Sequence, residues 1–273
     1  MKDNPDIKTA VMPRLPGLRL MFSESLHEYR VSDYDPLGGP SWNDFTRLPS
    51  VTQFVHHYEP EFDQQAAAER RAQRENCRPE DVLVEWEREK DYACDMGTRV
   101  HANQENMMNG QSPENTPQNE RERGIMTAGW RAINDLKAAS WEPFAAEKMV
   151  CSMRYRLAGT VDAILKRGKN EVLVADWKTN RQIRGENRYG VTMLPPLQHL
   201  PSCELSRYGL QLNLYGKILI EEGYIQSTSI VRRMVVHLKP DGNYQIYDVP
   251  RMLEAEVALL DYVTGWGMTT PPF

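Results

Sequence analysis

Long apolar runs are missing from this chain. None approaches the ~20 residues that a membrane-spanning helix needs, so no membrane is expected as a partner. The opening residues, MKDNPDIKTAVMPRLPG, contain neither the apolar stretch of a secretory signal nor the Arg- and Ser-rich, acid-poor composition of a transit peptide. A cytoplasmic protein is the expectation. Cysteine is scarce. Cys77, Cys94, Cys151 and Cys203 stand far apart and form no C-x-x-C pair. That argues against zinc and against an iron–sulfur cluster, and leaves four reduced thiols. Internal repeats and low-complexity tracts are also missing.

What is present is ordinary for a globular protein: 40% hydrophobic and 26% charged residues over 273 positions, enough for one large core or two small domains. The net charge of -5 is unevenly spread. Residues 148–188 carry ten Lys/Arg (148, 154, 156, 166, 167, 169, 178, 181, 184, 188) against four Asp/Glu (162, 171, 176, 186). That segment is +6, so the remainder is -11. A basic tract of this kind fits a polyanionic partner as well as it fits the solvated face of a sheet.

Residues 18–31 alternate as two short strands with a turn near Ser23–Ser25. Residues 32–49, rich in Pro, Gly and Asp, read as loop. Ser50-Val-Thr-Gln53 has the form of a capping box and opens a short helix to about Tyr58. Polar helical stretches follow over 62–74 and from Glu80 toward Met108, stopping at Gly110. Residues 110–120 are the best linker candidate, and 125–139 are helical. The pattern then changes to three strands over 147–157, 159–166 and 171–178. A helix over 205–221, a hairpin over 229–238 and 244–249 around Asp241-Gly242, and a helix over 251–263 complete the chain. The C-terminal order is therefore αβββαββα, which places the fold in the α/β or α+β class, a mixed central sheet flanked by helices. The expected division is 1–120, a hairpin and mainly helical region, and 121–273, the core.

Chemistry concentrates in Gly159-Thr-Val-Asp162 and, fourteen residues after Asp162, Asp176-Trp-Lys178. Strand side chains alternate faces. Thr160, Asp162 and Ile164 share one face, and Val172, Val174, Asp176 and Lys178 share another. If the hairpin aligns these faces, two carboxylates and an ammonium converge among strongly apolar neighbours. Three buried ionisable groups are costly unless they pair or bind metal. A simple Asp–Lys ion pair fixing register would leave the second carboxylate without a partner.

With these motifs in their order, the chain resembles the PD-(D/E)XK nuclease superfamily and its restriction-endonuclease-like core. It resembles in particular the RecB-type exonuclease branch, which includes phage recombination exonucleases and the mitochondrial genome maintenance exonuclease. Met96-Gly97-Thr98-Arg99-Val100-His101 is similar to that branch's helical motif, Gly159–Asp162 to its first acidic motif, Asp176-Trp-Lys-Thr179 to D-x-K, and Gln211-Leu-Asn-Leu-Tyr215 to Q-x-x-x-Y. The likeness spans about Gly97 to Tyr215 and leaves the first 90 residues uncovered. The four-cysteine cluster of some branch members is absent.

The resemblance implies a Mg²⁺- or Mn²⁺-dependent deoxyribonuclease working from DNA ends, in a bacterium or a phage-infected host, in recombination, replication or repair. A single-strand annealing or single-strand-binding protein is an implied partner. It assigns the metal to His101, Asp162, Asp176 and the Trp177 carbonyl, water activation and charge stabilisation to Lys178, and support to Gln211 and Tyr215. Glu147 and Glu105 are possible additional acids, though Glu147 reads equally as a solvated strand-end charge. The long segment 179–202 leaves the catalytic strand directly. Its Arg181, Arg184 and Arg188, with Tyr189 for stacking, are candidates to guide DNA, or it is simply a surface loop. Two alternatives stay open: an endonuclease of the same fold, and a non-catalytic DNA-binding protein that keeps it.

Overall fold

The computed structural model describes residues 6–33 and 46–265. Most of the loop expected over 32–49 lies outside them. The N-terminal part is richer in strand than its sequence pattern promises. β1 (Ile7–Met12), β2 (Leu15–Ser23), β3 (Glu28–Asp33) and β4 (Thr46–Leu48) form one antiparallel sheet in that order. β1 has no clean alternation to betray it, because both its faces are largely exposed. This sheet buries Met12, Leu20, Tyr29, Val31 and Leu48 against Met149, Cys151 and Ala158 of the strands that follow.

Helix α1 (Val51–His57) starts where its sequence says. The Ser50 hydroxyl accepts from the Gln53 N–H, and the Gln53 side chain accepts from the Ser50 N–H. Each closes an otherwise open backbone donor. Ser50→Ala should therefore cost about 1 kcal/mol, read as a lower urea midpoint at unchanged slope. Helix α2 (Gln64–Glu75) ends on Asn76 in the left-handed conformation, and α3 (Pro79–Met108) begins with proline in its first turn. Helix α4 (Glu120–Ala138) starts five residues before the expected 125. Its true cap, Asn119, and the first-turn acids Glu120 and Glu122 were available signals. Gly124 obscures them, and it is there for tertiary reasons: a side chain at 124 would collide with the Pro240 carbonyl, where the hairpin following α5 crosses α4.

The second sheet has the order β5-β6-β7-β8-β9, built from β5 (Glu142–Ser152), β6 (Leu157–Arg167), β7 (Glu171–Lys178), β8 (Ile230–Leu238) and β9 (Tyr244–Asp248). All pairs are antiparallel except β7 with β8, which are joined through α5 (Glu204–Glu221) and run parallel. The strand expected over 147–157 is a correction: β5 starts at Glu142, and residues 153–156 are a turn. That turn contains no Gly, Pro, Asn or Asp. Arg156 itself adopts positive φ (51°), so composition gave no sign of it.

Alternation along β7 sorts the core into two layers. Val172 and Val174 face α1, α5 and α6 (Glu254–Gly265), whereas Leu173, Ala175 and Trp177 face α3 and α4. The result is a mixed α+β sandwich with helices on both faces of the sheet. Among the described residues no helix is long and apolar enough to cross a membrane.

Candidate metal centre

The site forms where two strands part. Pairing between β6 and β7 runs from Arg167–Glu171 as far as Ala163–Ala175 and stops. Beyond that point the backbone groups of Trp177 that face β6 have no strand partner. Buried backbone groups must be satisfied somewhere. The Trp177 N–H donates to Asp162 Oδ2 at 2.9 Å, and the Trp177 carbonyl meets His101 Nε2 at 3.1 Å. A carboxylate and an imidazole thus replace two ladder bonds.

His101 reaches this point from α3, whose packing fixes it. Met96 and Val100 are fully buried against the sheet. The Arg99 guanidinium donates to the buried Glu122 carboxylate at 2.7 Å, tying α3 to the first turn of α4. The other face of the imidazole looks at acids: Nδ1 lies 3.3 Å from Glu147 Oε1 and 3.6 Å from Asp162 Oδ2. One ligand atom from each of His101, Glu147 and Asp162 lies within 4.8 Å of the others, so the three could hold a metal ion.

Glu147, which the sequence left open between an additional acid and a strand-end charge, thus stands within the cluster. On β5 it sits between Ala146, paired with Ala163, and Lys148, paired with Val161, which places it opposite Asp162. Its φ is +44°. A non-glycine residue held in the left-handed region costs on the order of 1–3 kcal/mol, and such strain gathers at functional positions. Glu105, one turn beyond His101, is not drawn into the cluster. Its charge, with that of Glu147, acts on Lys8 of β1.

Asp176 and Lys178 stand beside this group as an ion pair, Nζ to Oδ2 at 2.8 Å, with Asp176 buried. Gln211 of α5 approaches the other carboxylate oxygen at 3.5 Å. Tyr215, one turn on, packs its ring on Gly159 where any side chain would meet it, so Gly159 is glycine to admit the tyrosine. The Lys178 ammonium also lies 4.8 Å over the Tyr208 ring. Tyr208 was not foreseen, nor was Tyr29, whose hydroxyl bonds Thr160 Oγ1 at 2.8 Å and ties the N-terminal sheet to β6. A cavity of about 270 Å³ opens beside Lys178, walled by Thr52, Val55 and His56 of α1 and by Arg207, Tyr208 and Gln211 of α5.

The electrostatics are those of a site with crowded negative charge. Burial raises the Asp176 carboxyl to about 6; the Lys178 ammonium only partly opposes it, and Asp162 adds to it. Asp162 is raised as well, first by burial, although the His101 imidazole pulls the other way. Burial alone would depress His101, but Asp162 and Glu147 outweigh it and raise the imidazole to about 9. Lys178 is likewise penalised by burial and more than compensated by Asp176 and Asp162, so its pKa goes up. The metal-free chain therefore holds this lysine as a charged ammonium.

A model of the PD-(D/E)XK nuclease superfamily matches residues 53–238, about two thirds of the chain, and that span contains every group of this cluster. The chain belongs to the PD-(D/E)XK nuclease superfamily. Among curated proteins nothing matches it. Members of the PD-(D/E)XK superfamily are nucleases that use divalent metal ions, with DNA as substrate.

Of the expected DNA-contacting residues, Arg181, Arg184, Arg188 and Tyr189 are exposed, Tyr189 by 90%. They do not stand on a loose loop. Ile183, Met193 and Leu197 are buried, the Leu194 N–H bonds the Tyr58 carbonyl at 2.7 Å, and the Asn187 side chain bonds the Ser202 carbonyl at 2.7 Å. The segment is an anchored ridge that begins directly after Lys178.

Proposed function

We propose that this PD-(D/E)XK protein is a Mg²⁺- or Mn²⁺-dependent exonuclease that hydrolyses phosphodiesters from DNA ends. The observation that carries it is the convergence of His101, Glu147, Asp162 and the Trp177 carbonyl beside the Asp176–Lys178 pair. The donor set fits a hard or borderline divalent cation: carboxylates, a carbonyl and one imidazole, with no thiolate. The raised pKa values of Asp162 and Asp176 fit as well: burial raises both first and a neighbouring acid adds to it, and a cation would favour the charged form of each.

His101, Glu147, Asp162, Asp176 and the Trp177 carbonyl would hold the ion. When bound, it would supply Lewis-acid stabilisation and a water of lowered pKa. Lys178 would orient the attacking water and balance the charge that develops on phosphate. Gln211 holds the Asp176 carboxylate from α5, and Tyr215 fixes the helix against Gly159. Arg181, Arg184 and Arg188 contact the backbone of the departing strand without reading bases, with Tyr189 available for stacking.

Two features favour action at ends. The motif set, with a helical histidine and the Gln211/Tyr215 helix, is similar to that of the end-processing RecB-type branch. The 270 Å³ cavity between α1 and α5 opens directly beside Lys178, where the end of a single strand would enter. A place in phage-type recombination, replication or repair, beside a single-strand annealing or binding protein, follows from that branch alone.

End-labelled linear DNA and covalently closed circular DNA, each incubated with and without Mg²⁺, test this reading. Linear DNA should disappear progressively from its ends only with metal, and circles should survive. Linearised circles or discrete internal fragments would make the enzyme an endonuclease.

A further inference from the structure

On the far side of α5 lies a second cluster of charged groups, in which Lys217, Arg233 and Arg251 stand against Glu221 and Glu256. Tyr215 and Gly216 are consecutive, but Tyr215 packs on β6 beside the acidic cluster while Gly216 faces β8. A side-chain carbon at 216 would stand 2.8 Å from Arg233 Nη2 and 3.1 Å from its Nε, so glycine makes the room that the guanidinium occupies. Along the paired strands Arg233 aligns with Val174, four residues before the Lys178–His237 pair, or about 13 Å away.

Arg233 is the unusual member of this group. Its Nη1 donates to the Val231 carbonyl at 3.1 Å, but its buried Nε has no hydrogen-bond partner. Among the described residues no carboxylate forms an ion pair with it. Burial lowers its pKa, and the charge of another cation, Arg251, lowers it further. Its neighbours are balanced: Lys217 pairs with Glu221 at 2.7 Å and Arg251 with Glu256 at 2.8 Å. A half-buried guanidinium without an acid, next to a second one, is costly to keep. Water can satisfy its N–H groups but not its charge. The group lines a cavity of about 360 Å³, to which Lys217, Arg251 and Ser229 also contribute, with Glu221 and Glu256 beside the two cations they pair with.

We propose that this cavity is a second, non-catalytic anion site that binds a phosphate group between Arg233 and Arg251. The planar guanidinium fork matches phosphate oxygens in bidentate fashion, and a tetrahedral anion can accept from several directions at once. One negative charge balances the one cation that lacks a partner. The phosphate belongs either to a free anion or to the backbone of a nucleic acid. The site stands apart from the metal cluster and does not rest on the exonuclease reading.

Thermal unfolding of the full chain in EDTA tests it, with inorganic phosphate and a short single-stranded oligonucleotide as separate probes and chloride at matched ionic strength as control. The wild-type midpoint should rise saturably with at least one probe. Arg233→Met and Arg251→Gln should each need about tenfold more ligand or more for the same rise, the loss expected for one charge-assisted contact. Lys169→Ala, which removes an exposed cation from the turn between β6 and β7, should respond like wild type. Saturation by phosphate alone identifies a free anion as the ligand, and saturation by the oligonucleotide alone identifies backbone. The Arg251 side chain is 69% exposed, so Arg251→Gln keeps the test alive if Arg233→Met does not fold. An equal response in both arginine variants and wild type, no saturable rise above chloride, or loss of the response in Lys169→Ala would each overturn the proposal.

Discussion

Replacing Lys178 with methionine should lower DNA cleavage by about 10³-fold or more at saturating metal and substrate, with the fold retained. Removing a single preorganised group that meets transition-state charge costs about 10²–10³ in turnover. Lys178 also holds the buried Asp176 carboxylate in its charged form. Methionine keeps the length and packing of the stem and removes only the ammonium. Asp176 can then neutralise itself by protonation, which is why the protein should still fold. Asp176→Asn should be as damaging. Because these residues act as a unit, the double variant should be little worse than either single one. Rates on an end-labelled duplex, with circular dichroism as the fold control, decide it. Turnover near wild type in Lys178→Met would remove the residue from the chemistry.

His101→Ala should raise the Mn²⁺ concentration needed for half-maximal activity by about 10–100-fold, the range seen when a metal's immediate support is removed. It should also change how metal affinity depends on pH. A metal must displace the proton that Asp162 and Glu147 hold on the imidazole below about pH 9. Wild-type affinity for Mn²⁺ should therefore climb by up to about tenfold per pH unit as pH rises toward 9, and the variant should climb less. The signs for the metal-free fold agree. The raised imidazole contributes stability that is complete below its unfolded value of 6.5 and is lost as pH rises through about 9. The raised Asp176 contributes stability that is present below 3.8 and lost as pH rises through about 6. EDTA-treated protein should thus weaken across this window, and the part between pH 6.5 and 9 should flatten in His101→Ala. Calorimetry of Mn²⁺ binding at several pH values measures the first effect, and urea midpoints measure the second. Identical pH slopes in the two proteins would return His101 to packing.

Sequence revealed the parts of the fold whose signals are local. The Ser50–Gln53 box gave α1, Pro79 and the acids after it gave α3, and the period-two pattern of 171–178 gave β7 with Asp176 and Lys178 on one face. The clustering of Asp162, Asp176 and Lys178 was legible because ionisable residues in apolar strands demand an explanation. Glu147 was legible only as one of two readings, an additional acid or a solvated strand-end charge, because its place depends on register. It lies opposite Asp162 only if the chain turns at 153–156, and that turn is made by Met, Arg and Tyr with Arg156 in the left-handed region. Counting outward from such a turn would have paired 147 with 162, but nothing local announced the turn. Tyr29 and Tyr208 were hidden for a related reason: each reaches the site across a long stretch of sequence. Arg233 looked like one more basic residue on a strand, and only its burial without an acid separates it from the others.

The central claim is that His101, Glu147 and Asp162 gather around a divalent ion with the Trp177 carbonyl. Anomalous diffraction from crystals grown with Mn²⁺ tests it most directly. A peak in contact with those three side chains, lost in Asp162→Ala together with DNA cleavage, is the predicted result. No peak at that point in an enzyme that still needs Mn²⁺ to cut DNA would contradict the account.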